Sequence, residues 1–188
     1  IIPFGDPKAL QEAITSKTCG FLVEPIQGEA GVNIPPENYL SEVAKICKKE
    51  NILLCTDEIQ TGLGRTGKLF CFEHSGIQPD LIILGKALSG GVYPISAVLA
   101  DDEVMDVFTP GTHGSTYGGN PLASVIGVAA LEVILEEDLP KRSAELGSYF
   151  LDQLKQLKHP RISKVRGKGL LLAIESVSYT HLTLPTIG

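Results

Sequence analysis

Leu81-Ile82-Ile83-Leu84-Gly85-Lys86-Ala87-Leu88-Ser89-Gly90-Gly91 is the stretch that decides how this chain folds. Four consecutive apolar residues without polar alternation are what a parallel strand covered on both faces requires. The run ends at a lysine set among residues too small to shield it. Two other runs share this form: Phe21-Leu22-Val23 ends at Glu24, and Ile52-Leu53-Leu54-Cys55-Thr56 ends at Asp57-Glu58. Between these two the spacing predicts a helix from near Pro36, with Tyr39, Leu40, Val43, Ala44 and Cys47 on one face and Lys48-Lys49 at its end. That order is a βαβ unit, and it predicts an α/β chain with a mainly parallel sheet.

Further along, Ile95-Ser96-Ala97-Val98-Leu99 reads as a fourth strand. Asn120-Pro121 supplies an N-cap and a first-turn proline ahead of Leu122, Val125, Ile126, Ala129 and Val133 at helical spacing. Another helix is predicted from Pro140 to Leu157, where His159-Pro160 stops it. Residues 165–174 read as a turn followed by one strand. From Ser176 to Gly188 the pattern lapses, with no cap and no amphipathic period; residues 176–188 are expected to be a non-native tail, the plainer alternative being a poorly ordered terminus. A chain that opens on Ile1 is expected to begin inside a longer protein.

Composition removes several classes of function. With 43% hydrophobic and 20% charged residues among 188, disorder is excluded. A formal charge of -6 argues against a nucleic-acid or anionic-membrane surface. No apolar run approaches the ~20 residues of a membrane span. Cys19, Cys47, Cys55 and Cys71 form no C-x-x-C pair, so zinc is not expected; Cys47 and Cys55 lie in apolar runs and read as buried reduced thiols, which implies a cytoplasmic protein or, alternatively, one of the mitochondrial matrix. The 20 glycines mark a backbone that must often come close to something.

The chemistry lies where the strands end. The carboxyl ends of parallel strands share one edge, and ligands bind in the crevice outside it. Glu24, Asp57 and Lys86 would therefore converge. Any one of them alone reads better as a solvated residue at a strand exit; three together weaken that reading. A lysine after a fully apolar strand is suited to a Schiff base with an aldehyde. An aspartate on a neighbouring strand end supplies the fixed negative charge that a pyridinium nitrogen wants. Together they are what pyridoxal phosphate chemistry requires.

Other motifs compete less well. Gly62-Leu63-Gly64-Arg65-Thr66-Gly67 matches G-x-G-x-x-G in letters, but it is separated from its strand and opens no long helix, so a dinucleotide turn lacks both contexts. Gly85-Lys86 is no P-loop, since Ala87 stands at the hydroxyl position. Gly111-Thr112-His113-Gly114-Ser115-Thr116-Tyr117-Gly118-Gly119-Asn120 leads into a helix N-terminus and suits an anion. Ser115 lacks the G-x-S-x-G spacing of a hydrolase nucleophile, and His113 reads as a loop histidine satisfied by backbone.

Five motifs in one order then carry a resemblance: Glu24-Pro25-Ile26-Gln27-Gly28-Glu29, Asp57-Glu58-Ile59-Gln60-Thr61-Gly62, Gly64-Arg65-Thr66-Gly67, residues 84–91 and residues 113–121. They resemble the class III (subgroup II) pyridoxal-phosphate-dependent aminotransferases, and residues 90–99 and 165–170 are most similar to the ornithine branch of that family. The resemblance covers about residues 1–175 and implies the fold-type I architecture. It implies that residues 1–138 are the second half of the cofactor-binding large domain, and residues 139–175 a linking helix and the start of the small domain.

It also implies roles. Lys86 would bind the cofactor and shuttle a proton, Asp57 would hold the pyridinium, and Gln60 would bond the ring's phenolic oxygen. Ser115 and Thr116 would reach the phosphate of a neighbouring subunit's cofactor, which makes a homodimer part of the site. Glu29 would pair with a substrate-binding arginine, with Glu24 behind it. The implied reaction moves the δ-amino group of L-ornithine to a 2-oxo acid, giving glutamate 5-semialdehyde and an amino acid. Acetylornithine, 4-aminobutyrate or lysine are alternative donors, and a catalytically silent truncated module is the alternative of another class. The family's upstream phosphate-cradling turn, ring-stacking aromatic residue and downstream arginine have no counterpart in this sequence. The chain alone is accordingly expected to be inactive.

Overall fold

A computed structural model describes residues 1–177. In chain order they form α1 (Pro7–Ala13), β1 (Gly20–Val23), α2 (Tyr39–Glu50), β2 (Leu53–Asp57), β3 (Leu81–Leu84), β4 (Ala97–Ala100), α3 (Asp102–Met105), α4 (Pro121–Glu136), α5 (Leu139–Gln156), β5 (Ile162–Lys168) and β6 (Leu171–Ser176). Single 3-10 turns stand at Cys71–Ser75 and Lys86–Ser89.

The main sheet has the order β1-β2-β3-β4, with the first two pairings parallel and the third antiparallel. Three apolar runs thus become three neighbouring parallel strands. Strand β4 reverses because the connection from Leu84 to Ala97 holds only one 3-10 turn, too little for the helical crossover that a parallel partner needs. Val23 lies opposite Thr56, and Asp57 opposite Ile83, so the register levels the three carboxyl ends.

Helices α1 and α2 cover one part of the sheet. Their buried residues Leu10, Leu40, Val43 and Cys47 close over Val23 and Leu54, with Tyr39 edge-on to Phe4 at 5.5 Å. Helix α4 packs elsewhere, burying Ile134 with Leu63, Leu84 and Leu88. Asn120 caps it as its sequence predicts, the side chain accepting from Ala123 N at 2.9 Å, with Pro121 in the first turn.

Three local expectations change. Helix α2 begins at Tyr39, three residues beyond Pro36, because Tyr39 N first closes a turn on Pro36 O at 3.0 Å. Asp6 caps α1, a helix the apolar pattern does not reveal, by accepting from Ala9 N at 3.1 Å. Residues 165–168 are strand rather than turn: β5 and β6 form an antiparallel hairpin in which Lys168 faces Leu171. The glycines of Arg166-Gly167-Lys168-Gly169 conceal a strand whose tight reversal falls only at Gly169, at φ +55°.

The hairpin docks on the body through Leu171 and Ala173, which pack against Ile26, Val32 and Cys71. Ser143 of α5 ties the junction: its Oγ donates to Arg65 O at 2.9 Å and accepts from Leu170 N at 3.2 Å. Ser176 still belongs to β6, opposite Ile162, and the remainder of the tail, residues 178–188, lies outside the described residues.

Candidate active site

At the exit of β1, Glu24 is half-buried and its Oε2 accepts from Gly28 N at 3.1 Å. The carboxylate thereby closes the turn that follows. At the exit of β2, half-buried Asp57 accepts from Ile59 N through Oδ1 at 3.0 Å, a short local turn that holds the carboxylate at the edge. Among the described residues Oδ2 accepts no hydrogen bond. Asp57, Glu24 and Gln27 line a cleft of about 330 Å³ whose apolar wall includes Phe4, Val23 and Tyr39.

At the exit of β3, exposed Lys86 opens its 3-10 turn at φ +42°, a left-handed conformation uncommon for a residue with a side chain. Gly85 before it is buried against the Asp57 turn. A Cβ there would lie 3.3 Å from Ile59 Cγ2, so the absence of a side chain lets the lysine-bearing and aspartate-bearing segments meet.

Gln60 links the second strand exit to the first. Its Nε2 donates to Glu29 Oε1 at 3.2 Å. Its amide lies over Gly28, where a Cβ would come within 2.0 Å of Gln60 Oε1. Glu29 is exposed near the tip of a narrow loop, closed by Gln27 N to Asn33 O at 3.1 Å and Asn33 N to Gln27 O at 2.9 Å.

Glu58 is a residue the sequence reading passed over. It is 1% exposed, and its carboxylate accepts from Thr61 Oγ1 at 2.5 Å and Phe72 N at 2.9 Å. Its own N–H donates to Ile83 O at 2.9 Å, and its carbonyl accepts from Gly62 N at 2.9 Å. Burial pushes its carboxyl above the usual carboxylate range, against the lowering effect of these bonds. Glu58 pins the whole turn that carries Asp57 and Gln60. A threonine three residues on is the only local signal of that role.

Ser115 and Thr116 are exposed, and the structure does not bring them to the Asp57 cleft. Ser115 Oγ accepts from Gly118 N at 2.9 Å. Ser115 lines a separate cleft of about 620 Å³ with Tyr93, Tyr117, Asn120 and Ser124 at the start of α4. His113 lies against Phe108, ring centroids 5.3 Å apart. The Gly62–Gly67 stretch is a packing loop: Gly64 sits under Pro140 and Gly67 under Ala144, so helix α5 occupies the space a dinucleotide would need. Among the described residues, no three His, Cys, Asp or Glu side chains are grouped to hold a metal, and no helix is long and apolar enough to cross a membrane.

A family profile described as Aminotransferase class-III matches residues 6–185. The chain is 60% identical over 174 residues to ornithine aminotransferase 2 of Staphylococcus aureus, covering 93% of this chain and 44% of that protein. Among solved structures, ornithine aminotransferase from Plasmodium yoelii matches with a TM-score of 0.90 at 57% identity, covering 94% of this chain and 47% of the other. A Toxoplasma gondii ornithine aminotransferase, described as showing partial occupancy of PLP at its active site, matches at 0.91 and 50% identity, over 94% of this chain and 42% of that one. Acetylornithine aminotransferase from Elizabethkingia anophelis matches at 0.89 and 53%, over 92% of this chain and 44% of that one. The chain therefore spans somewhat less than half the length of these relatives.

Proposed function

The chain belongs to the class III aminotransferase family, and on that premise we propose that its complete protein moves the δ-amino group of L-ornithine to a 2-oxo acid, yielding glutamate 5-semialdehyde and an amino acid. The observation that carries this reading is that β2 and β3 end level, Asp57 opposite Ile83, with Gly85 before Lys86 packed against Ile59 of the Asp57 turn. These residues fit pyridoxal phosphate: an exposed amine for its aldehyde, and for its ring nitrogen a carboxylate whose Oδ2 accepts no hydrogen bond among the described residues. When bound, that cofactor supplies an aldehyde that captures amines and a ring that acts as an electron sink.

The chain's own residues do the rest. Lys86 would hold the cofactor through Nζ and would move a proton at that atom. Asp57, its Oδ1 held by Ile59 N, keeps Oδ2 for the proton of the ring nitrogen. Gln60 would hold the ring's phenolic oxygen, and its bond to Glu29 would connect the cofactor and substrate sides. Glu29, with Glu24 shaping the loop behind it, would pair with a substrate-binding arginine that the complete protein supplies from outside this chain. Ser115 and Thr116, remote from the Asp57 cleft within one chain, serve the phosphate bound by the second subunit of a homodimer. Residues 1–138 belong to the large domain in this reading, and residues 139–175 begin the small one.

Ornithine leads because the named relatives above are mostly ornithine aminotransferases; the acetylornithine enzyme at comparable similarity supports the second reading. Turnover of the complete protein with ornithine, acetylornithine, 4-aminobutyrate and lysine tests the choice. Ornithine is expected to give the highest kcat/KM, and Lys86→Ala to abolish turnover with every donor. A better donor among the other three overturns the ornithine assignment, and an active Lys86→Ala protein overturns the site.

A further inference from the structure

The loop that presents Glu29 is held in place from the far end of the chain. Between Gln27 and Asn33 the backbone turns through Gly31 at φ +113° and Val32 at φ +54°. A β-branched residue in the left-handed region is a genuine outlier, and it persists only where its surroundings over-determine it. Val32 N donates to Gly28 O at 2.9 Å, and Val32 is buried beside Ile26, Cys71 and Leu171.

The carbonyls of Gly31 and Val32 both turn toward Arg166 of β5. Arg166 Nε donates to Gly31 O at 2.9 Å and to Val32 O at 3.1 Å, and Nη2 donates to Gly31 O at 2.6 Å. Its Nη1 pairs with Glu175 of β6. The Arg166 side chain is 18% exposed, so removing it would take from these carbonyls donors that water replaces poorly. A planar fork can serve two adjacent carbonyls and a carboxylate at once; an ammonium is a point charge and holds no such plane.

We propose that Arg166 is a positioning residue for Glu29: by clasping Gly31 and Val32 from the hairpin, it fixes the loop whose tip sets Glu29 against Gln60. The proposal rests on the reading of Glu29 as a substrate-side residue. It makes the β5–β6 hairpin part of the substrate site although no hairpin side chain lines the Asp57 cleft. It also gives the strained Val32 a use, since a loop locked in one conformation keeps an exposed glutamate at one address.

The test uses the complete protein with Arg166→Lys, which keeps the charge, Glu175→Gln, which breaks only the hairpin's own ion pair, and Glu29→Gln, alone and combined with Arg166→Lys. In the cofactor-free protein, amide hydrogen exchange is expected to quicken about tenfold at Val32 and Asn33 in Arg166→Lys, with β5 and β6 protected as in the parent. Glu175→Gln should leave the loop unchanged. In steady-state kinetics Arg166→Lys should raise the KM of the amino donor several-fold with a smaller change in kcat, and add nothing further to Glu29→Gln. Unchanged exchange at Val32 and Asn33, loosening of loop and hairpin together, or effects that multiply with Glu29→Gln would each overturn the proposal. Absence of transamination in the parent would sink the functional reading while leaving the exchange result to report on the clasp.

Discussion

Glu58 stands one residue beyond Asp57, and burial separates their fates. Burial raises the Glu58 pKa, so the folded chain takes up its proton at a higher pH than the unfolded chain does. Between those two values the folded state binds more protons, and stability falls as pH rises through that window. Glu58→Gln keeps an acceptor for Phe72 N and a donor for Thr61 without the titration; it should therefore gain on the parent as pH climbs. Urea midpoints of both proteins across a pH series measure this, and a difference independent of pH would contradict it. Glu58→Ala strands both donors and is expected to cost about 1–3 kcal/mol for each buried group left unpaired. The cysteines divide in the same way. Burial pushes Cys47 up to about 11 and Cys71 up to about 12, while Cys19 is exposed. An alkylating reagent at neutral pH should label Cys19 first and leave Cys47 and Cys71 untouched until the protein unfolds, as peptide mass spectrometry would show. Nothing in the sequence distinguishes these thiols from one another so sharply, because apolar neighbours in the chain only partly decide what closes over them.

Helix α4 shows what local sequence can specify. Asn120 and Pro121 announce its start, and the structure places them as cap and first turn. Asn120→Ala should cost about 1 kcal/mol, read as a drop in the thermal midpoint with little change in the Asp57 cleft. Helix α5 and the hairpin are different, because their fit rests on a pairing distant in sequence. A Cβ on Gly147 would lie 2.0 Å from Gly169 O, a backbone atom that has no flexible end to yield. Gly147→Ala should therefore push the helix off the hairpin, costing about 1–3 kcal/mol, with amide protection lost first in β5 and β6. Part of the glycine excess thus serves helix–hairpin packing rather than approach to a cofactor. Gly167 and Gly169 give residues 165–168 the look of a turn in the sequence, since a strand built on Arg166-Gly167-Lys168 has no apolar alternation to betray it.

At the scale of the whole molecule, β1 and β4 are the outer strands of the four-stranded sheet, and Leu22 and Val98 upon them are 60% and 49% exposed. Val125 on α4 and Tyr149 on α5 are exposed at 69% and 66%. Apolar surface of this extent on a chain spanning less than half the length of its relatives marks faces made to be covered. The 188-residue chain expressed alone should bind hydrophobic dye, self-associate in light scattering and show no transamination; a monodisperse, dye-silent chain would contradict this. The sequence by itself determined the α/β class, the three parallel strands and the strand ends bearing Glu24, Asp57 and Lys86, because unbroken apolar runs and the residues that end them are local properties. It also carried the motifs by which the family is known. Only the tertiary structure decided that Gly85 packs against Ile59 of the Asp57 turn, that Glu58 is buried and bonded by Phe72 N, that Ser115 lines a different cleft from Asp57, and that Arg166 clasps the loop of Glu29. Each of these depends on residues far apart in the chain, and its geometry exists only once the sheet, the loops and the hairpin have packed together.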